Sequence, residues 1–258
     1  MEIYIIYGLI FLTGLILGSF YNVVSLRTLS GEKLAFPPSH CVNCNHKLGI
    51  VDLFPVMSYL FLGGKCRYCK TKISAVYPIG ELLTATSYFL IIYKFGFTFE
   101  SLIQITFITI MIMATITDIK ETLVPNRFVI TGLILIFILR LIYSVDMLYY
   151  LSSLVMSFAI LFMIMMLSRK KIINDNGEVE IIYGMGGADV KLYALIGLSI
   201  GIINAMASLF FAAIIGLLIQ VPIIIKNKGV DRNKEIPFVP SITLGVLCTY
   251  FITFFNFI

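Results

Sequence analysis

The sequence predicts an all-α polytopic membrane protein of about eight transmembrane helices, with a cytoplasmic, zinc-ribbon-like loop between the first and the second. Three observations predict it. The chain has 258 residues, 59% hydrophobic and 13% charged, with mean hydropathy +0.99. A soluble domain carries roughly 25% charged residues, so this chain has too few charges to cover a water-exposed surface, and the bilayer must be its main solvent. Apolar runs near the roughly 20 residues that a span needs recur from end to end. The basic residues collect in alternate loops.

Residues 3–24 form the first run. Only Glu2 precedes it, so there is no basic n-region, and it is longer than the roughly 7–15 residues of a signal-peptide core. It reads as a retained helix. Further runs cover 77–93, 101–117, 128–145, 147–167 and 238–258. The run 192–225 has 34 residues. As one helix it would measure about 50 Å against a hydrocarbon core of about 30 Å, so it is expected to split near 202–204. The total is eight.

The net charge is +5, but its placement carries more information than its sum. Of 19 Lys and Arg, 17 lie in or beside odd-numbered loops. The exceptions are Lys94 and Arg140, which read, with Lys191, as anchors snorkelling to the interface. The positive-inside rule puts the odd loops in the cytoplasm and both termini outside. An even span count demands termini on one side, which agrees. The topology accounts for the basic excess, and no nucleic-acid partner is expected.

Four of five cysteines lie in the first loop, as Cys41-x2-Cys44 and Cys66-x2-Cys69. Two such pairs resemble a zinc ribbon, each pair on a tight turn that aims two sulfurs at one ion. Asn43, Asn45, Gly49, Gly63 and Gly64 supply turn chemistry. Disulfides are the alternative, but a cytoplasmic loop faces a reducing compartment. Four thiolates would complete a tetrahedral shell, so the zinc is expected to be structural and His40 and His46 bystanders. Cys248 reads as a small core residue.

Carboxylates at spans are candidates for function. Asp118 ends the third run, and Asp189 opens the sixth after Gly184, Gly186 and Gly187. The expected topology puts both at the cytoplasmic ends of their helices. Two such carboxylates can meet, share a proton and act as base and acid on an attacking water. Alternatively both are interfacial helix ends, with Asp189 favoured by the helix dipole. Glu81, after Pro78 in the second run, is either a polar group of a site or an interfacial residue.

Along nearly its whole length the chain resembles the bacterial type IV prepilin peptidase family. The segments that carry the likeness are Gly18-Ser19-Phe20-Tyr21-Asn22, Pro38-Ser39-His40-Cys41, Gly64-Lys65-Cys66, Tyr77-Pro78-Ile79-Gly80-Glu81, Asp118 with Val124-Pro125-Asn126, and Gly184 to Lys191. The last resembles the family's Gly-x-Gly-Asp motif, with Ala188 where that motif has glycine. Pro237-Phe238-Val239-Pro240 resembles the final motif, with Val239 in place of glycine.

The resemblance implies a bacterial plasma-membrane enzyme that cleaves the leader of prepilins and pseudopilins on the cytoplasmic side. It also implies N-methylation of the new terminus, with S-adenosylmethionine as donor. Asp118 and Asp189 would be catalytic; Gly184, Gly186, Gly187, Lys191, Glu81 and Gly64 would support; Cys41, Cys44, Cys66 and Cys69 would bind zinc. The chain would divide into a first helix (1–26), a cysteine loop with the methyltransferase part (27–76) and a membrane-embedded peptidase (77–258). Besides substrates and lipid, the pilus or secretion assembly machinery is a possible partner. Loop 1 carries no Gly-rich nucleotide fingerprint, so methylation rests on the resemblance alone. The rival readings are a peptidase without methylation and a small proton-coupled transporter.

Overall fold

The computed structural model describes residues 2–34, 36–143, 146–173, 179–226 and 236–252. Among them, six helices are long and apolar enough to cross a membrane, and a seventh, over Val239–Phe251, is shorter. One of the six is broken by a non-helical Gly201, so the helical runs agree with the expected eight. The fold is a multi-pass membrane protein. It divides into two compact units, Met1–Pro125 and Asn126–Ile258.

The first unit holds α1 (Glu2–Ser30), the short α2 (Met57–Phe61), α3 (Val76–Phe95) and α4 (Phe99–Glu121). Helix α1 runs beyond the apolar stretch that ends at Val24, so the cysteine loop begins near Gly31. Its main partner is α3, and glycines set the distance between them. A Cβ on Gly14 would lie 2.5 Å from Ala85 Cα, and one on Gly18 would lie 2.8 Å from Glu81 Cα. Lipid offers helices no hydrophobic reason to associate, so such close small-residue contact supplies the packing. A polar chain adds to it: Tyr21 Oη is 2.9 Å from Tyr88 Oη, which is 2.7 Å from Thr109 Oγ1 on α4. Helix α4 starts with a capping box between Thr98 and Ser101. It ends at left-handed Thr122, whose N–H donates to the Asp118 carbonyl at 2.8 Å, and Pro125 follows.

The second unit holds α5 (Asn126–Tyr143), α6 (Met147–Leu167), α7 (Gly187–Lys226) and α8 (Val239–Ile252). Between α6 and α7 a two-stranded antiparallel ribbon, β1 (Lys170–Ile173) and β2 (Val179–Ile182), forms in a stretch that the sequence reads as loop. Helix α7 contacts α5, α6 and α8. Gly197 lets it approach Ser153 and Ser157 of α6, and Gly245 of α8 lets that helix approach Ser208 and Ala212.

The break in α7 falls at Gly201, with φ 78° and ψ 166°, at the edge of the expected split. It corrects the reading of Arg140. Instead of snorkelling, Arg140 is buried at 2% exposure. Its Nη2 donates to the Ser199 carbonyl, and its guanidinium sits 3.8 Å from the centre of the Tyr150 ring. A broken helix leaves its last carbonyls without intrahelical partners. Arg140 serves one of these, and Asn204 Nδ2 serves the Ile200 carbonyl at 3.0 Å. Lys94 lies 5.2 Å from the Phe95 ring centre, and exposed Lys191 donates to Asn126 Oδ1 at 2.9 Å. Lys228, Arg232 and Lys234, used in the charge count, lie outside the described residues.

Candidate metal centre and active site

The cysteine loop is built from two copies of one turn. After Cys41, Asn45 takes φ 55°, its N–H donates to the Cys41 carbonyl at 2.8 Å, and Cys41 N–H donates to His46 at 3.0 Å. After Cys66, Lys70 takes φ 60°, its N–H donates to the Cys66 carbonyl at 3.0 Å, and Cys66 N–H donates to Thr71 at 2.8 Å. Bridges His40–Lys47 and Lys65–Lys72 close the two turns at matching positions. Gly64, at φ 69°, leads into the second turn, and a Cβ there would lie 2.9 Å from Tyr59 Oη.

The result is a cluster in which the Cys41, Cys44, Cys66 and Cys69 sulfurs all lie within 4.8 Å of one another. None is in a disulfide. Two thiolates at about 2.3 Å from a tetrahedral ion stand about 3.8 Å apart. Cys41 and Cys69 sulfurs are 3.8 Å apart. The donor set therefore fits a metal ion.

Cys69 is held down to about 5 by the Thr71 hydroxyl, 3.4 Å from its sulfur, together with the Thr71 backbone. Cys44 goes up to about 11: its backbone hydrogen bond near His46 is outweighed by burial and by the neighbouring Cys41 and Cys69 sulfurs. A divalent cation removes that repulsion and favours all four thiolates. The histidines stand apart from the cluster. His40 Nδ1 is 3.0 Å from the Pro38 carbonyl, and the His46 ring packs on Tyr68, with 3.6 Å between centres.

Two residues without a sequence signal hold the loop. Asp52 accepts from Arg67 Nε at 2.7 Å, from Tyr68 Oη at 3.1 Å and from Gly49 N–H at 3.1 Å. It thereby ties the segment after the first cysteine pair to the second pair. Burial pushes the Asp52 carboxyl up, but Arg67, Gly49 and Tyr68 together outweigh it and hold the group below its usual range. Arg27, buried at the end of α1, donates to the carbonyls of Lys33, Leu34 and Pro37 and so fixes the start of the loop.

Glu81 is buried in α3, and its Oε2 accepts the Val56 N–H at 2.7 Å.

Asp118 is 6% exposed, near the end of α4 in the first unit. Asp189 is 8% exposed, in the first turn of α7 in the second unit, with its N–H donating to the Gly186 carbonyl at 3.1 Å. The glycines before it work separately. A Cβ on Gly186 would stand 3.4 Å from Asp189 Oδ2, whereas one on Gly184 would stand 3.0 Å from Ser168 Cβ. Gly184 N–H also donates to Ser168 Oγ at 3.2 Å. Gly187 begins the helix.

Residues 12–95 match the Bacterial Peptidase A24 N-terminal domain, and residues 105–221 match the Type IV leader peptidase family. The chain is 32% identical, over 94% of its length and 93% of the relative's, to the Prepilin leader peptidase/N-methyltransferase of Bacillus subtilis (strain 168). It is 28% identical to the Type 4 prepilin-like proteins leader peptide-processing enzyme of Escherichia coli O78:H11, over 93% of this chain and 91% of that one. It is 27% identical to the Prepilin leader peptidase/N-methyltransferase of Pseudomonas aeruginosa, over 91% and 86%. No solved structure matches. With one matched segment spanning the cysteine loop, another containing both buried aspartates, and a relative 32% identical over 94% of the chain, the chain belongs to the type IV leader peptidase family.

Proposed function

We propose that this chain cleaves the leader of type IV prepilins and pseudopilins at the cytoplasmic face of the bacterial plasma membrane and N-methylates the new amino terminus. The observation that carries the reading is that one family segment, residues 105–221, contains both Asp118 and Asp189, each buried at a helix end. Asp118 and Asp189 are the catalytic pair. One takes a proton from the attacking water while the other protonates the scissile carbonyl oxygen. Gly184, Gly186 and Gly187 let the backbone before Asp189 turn, and Lys191 fixes the opening of α7 through Asn126.

The four thiolates hold zinc. With four protein ligands no position is left for a reacting water, so the ion is structural. The segment 27–76, which takes in the last turn of α1 and the cysteine loop, is the methyltransferase part, following residues 1–26 and preceding the peptidase region 77–258. S-adenosylmethionine is the donor; the relatives' N-methyltransferase names call for a methyl donor without naming one. The loop and the aspartates face the cytoplasm and both termini face outside, in keeping with the basic residues of the odd loops. The pilus or secretion assembly machinery is the natural partner.

The test uses purified protein in detergent, a prepilin peptide, and mass spectrometry with and without S-adenosylmethionine. Wild type should release the leader under both conditions and add a methyl group only with the donor. Asp118→Asn and Asp189→Asn should each lower cleavage by orders of magnitude, and the double variant should be little worse than either, because such residues act as a unit. Methylation of a pre-cleaved pilin should survive in all three. Near wild-type cleavage by either single variant removes that residue from the assignment. Cleavage without any methylation leaves a peptidase alone.

A further inference from the structure

The first unit contains a cavity of about 600 Å³, where the ends of α1, α3 and α4 meet the cysteine loop. Small-molecule sites commonly measure roughly 300–1,000 Å³. Leu26, Leu53 and Leu62 give it apolar walls. Besides Glu81, charges of both signs converge on it, with Arg27 and Lys120 beside Glu32 and Glu121. That donor set suits a ligand carrying an ammonium, a carboxylate and a sulfonium, as S-adenosylmethionine does.

Glu81 differs from the other carboxylates. It is 7% exposed, on the second turn of α3, where Gly18 brings α1 against its own Cα. Neither of the ion pairs Arg27–Glu32 and Arg67–Asp52 involves Glu81. It accepts from the Val56 N–H and from Ser19, whereas a carboxylate can accept about four hydrogen bonds. A buried carboxylate with no cationic partner is costly unless it takes up a proton or a cation comes to it. The cavity also adjoins the cleavage machinery, since Lys120 and Glu121 on its wall follow Asp118 by two and three positions.

We propose that this cavity is the methyl-transfer chamber: it takes S-adenosylmethionine beside the cysteine loop, and Glu81 receives the pilin α-ammonium and accepts its proton. This rests on the methyltransferase reading above. An α-amino group titrates near about 7.7–8.0, so at neutral pH it is mostly protonated and is not a nucleophile. Carboxylate and ammonium brought together out of water lose the solvation that keeps them charged, which eases passage of the proton to Glu81. The freed nitrogen lone pair attacks the methyl carbon. The N–C bond forms, the S–C bond breaks, and its electron pair stays on sulfur. The products are a methylated ammonium and neutral S-adenosylhomocysteine, and the proton on Glu81 returns to solvent.

The test compares full-length wild type, Glu81→Gln, Glu81→Asp and Leu26→Trp in detergent. Binding of radiolabelled S-adenosylmethionine is read by equilibrium dialysis, and methylation of a pre-cleaved pilin by mass spectrometry. Glu81→Gln keeps the shape and the acceptor for Val56. It should bind the donor within about threefold of wild type yet methylate at least about 100-fold more slowly, the usual contribution of a positioned base. Glu81→Asp should recover part of the rate. Leu26→Trp fills the cavity and should weaken donor binding at least about tenfold. The proposal is overturned if Glu81→Gln methylates at near wild-type rate, if it loses donor binding or cleavage in parallel, or if Leu26→Trp binds like wild type. Wild type that neither binds the donor nor methylates would instead sink the methyltransferase reading itself.

Discussion

The sulfurs of Cys41 and Cys69, 28 positions apart in the chain, lie 3.8 Å apart, the separation of two thiolates on one tetrahedral ion. The purified protein is expected to hold about one zinc per chain, as the four-thiolate shell requires. Cys41→Ser should lower that content severalfold and impair methylation and loop folding more than cleavage. Elemental analysis of protein purified under reducing conditions checks it, and a metal-free, fully folded wild type would refute it.

Gly14 and Gly18 set the approach of α1 to α3. Gly14→Ala puts a Cβ 2.5 Å from the Ala85 Cα, against backbone that cannot yield cheaply. It should cost about 1–3 kcal/mol, as overpacking does. Gly8→Ala, with nothing within 4 Å of the new Cβ, is the control and should be neutral. Thermal unfolding in detergent separates them, and equal melting temperatures would show that the helices do not cross this closely.

Asp52 gives the loop a pH dependence of known sign. Its folded pKa is depressed, so its contribution is present above the unfolded value of about 3.9 and is lost as pH falls through the folded value. At pH 7, Asp52→Asn should weaken the loop by about 1–2 kcal/mol, with Arg67 discounted because it is partly exposed. Near pH 3 the difference between variant and wild type should shrink. Hydrogen exchange of residues 49–72 at the two pH values reads this directly. A difference that grows with acidity would contradict the sign.

Orientation is tested at the two ends of one helix. A cysteine at Glu100, before the body of α4, should react with an impermeant maleimide added to intact cells. One at Leu123, just past its end, should react only after permeabilisation. Glu100 lies in the first turn of α4 and Leu123 is 52% exposed, so neither position is shielded by a core. The reversed pattern would put the cysteine loop outside.

Local pattern in the chain encodes the spans, the metal cluster and part of the turn geometry. Runs of apolar residues set the number of helices, because each span must satisfy its own backbone in lipid. Cys-x2-Cys spacing announced the metal cluster, because each pair folds within one turn. Asn45 at the left-handed position was readable as a turn residue; Lys70 at the same position was not, because lysine seldom adopts that conformation. The packing role of Gly14 and Gly18 came only from the structure, where α1 meets α3. Tertiary structure decided what the isolated charges do. Arg140 resembled a surface anchor in sequence, yet it serves the Ser199 carbonyl beside the break at Gly201, 59 positions away. Glu81 gave no sign in sequence of its partner Val56, 25 positions back, or of the α1 glycine that packs on its turn. Asp52 gave no signal, because its partners Arg67 and Tyr68 meet it only when the two cysteine turns close on each other. Burial and pairing of a charge depend on which distant segments fold against it, and no window of neighbouring residues contains them.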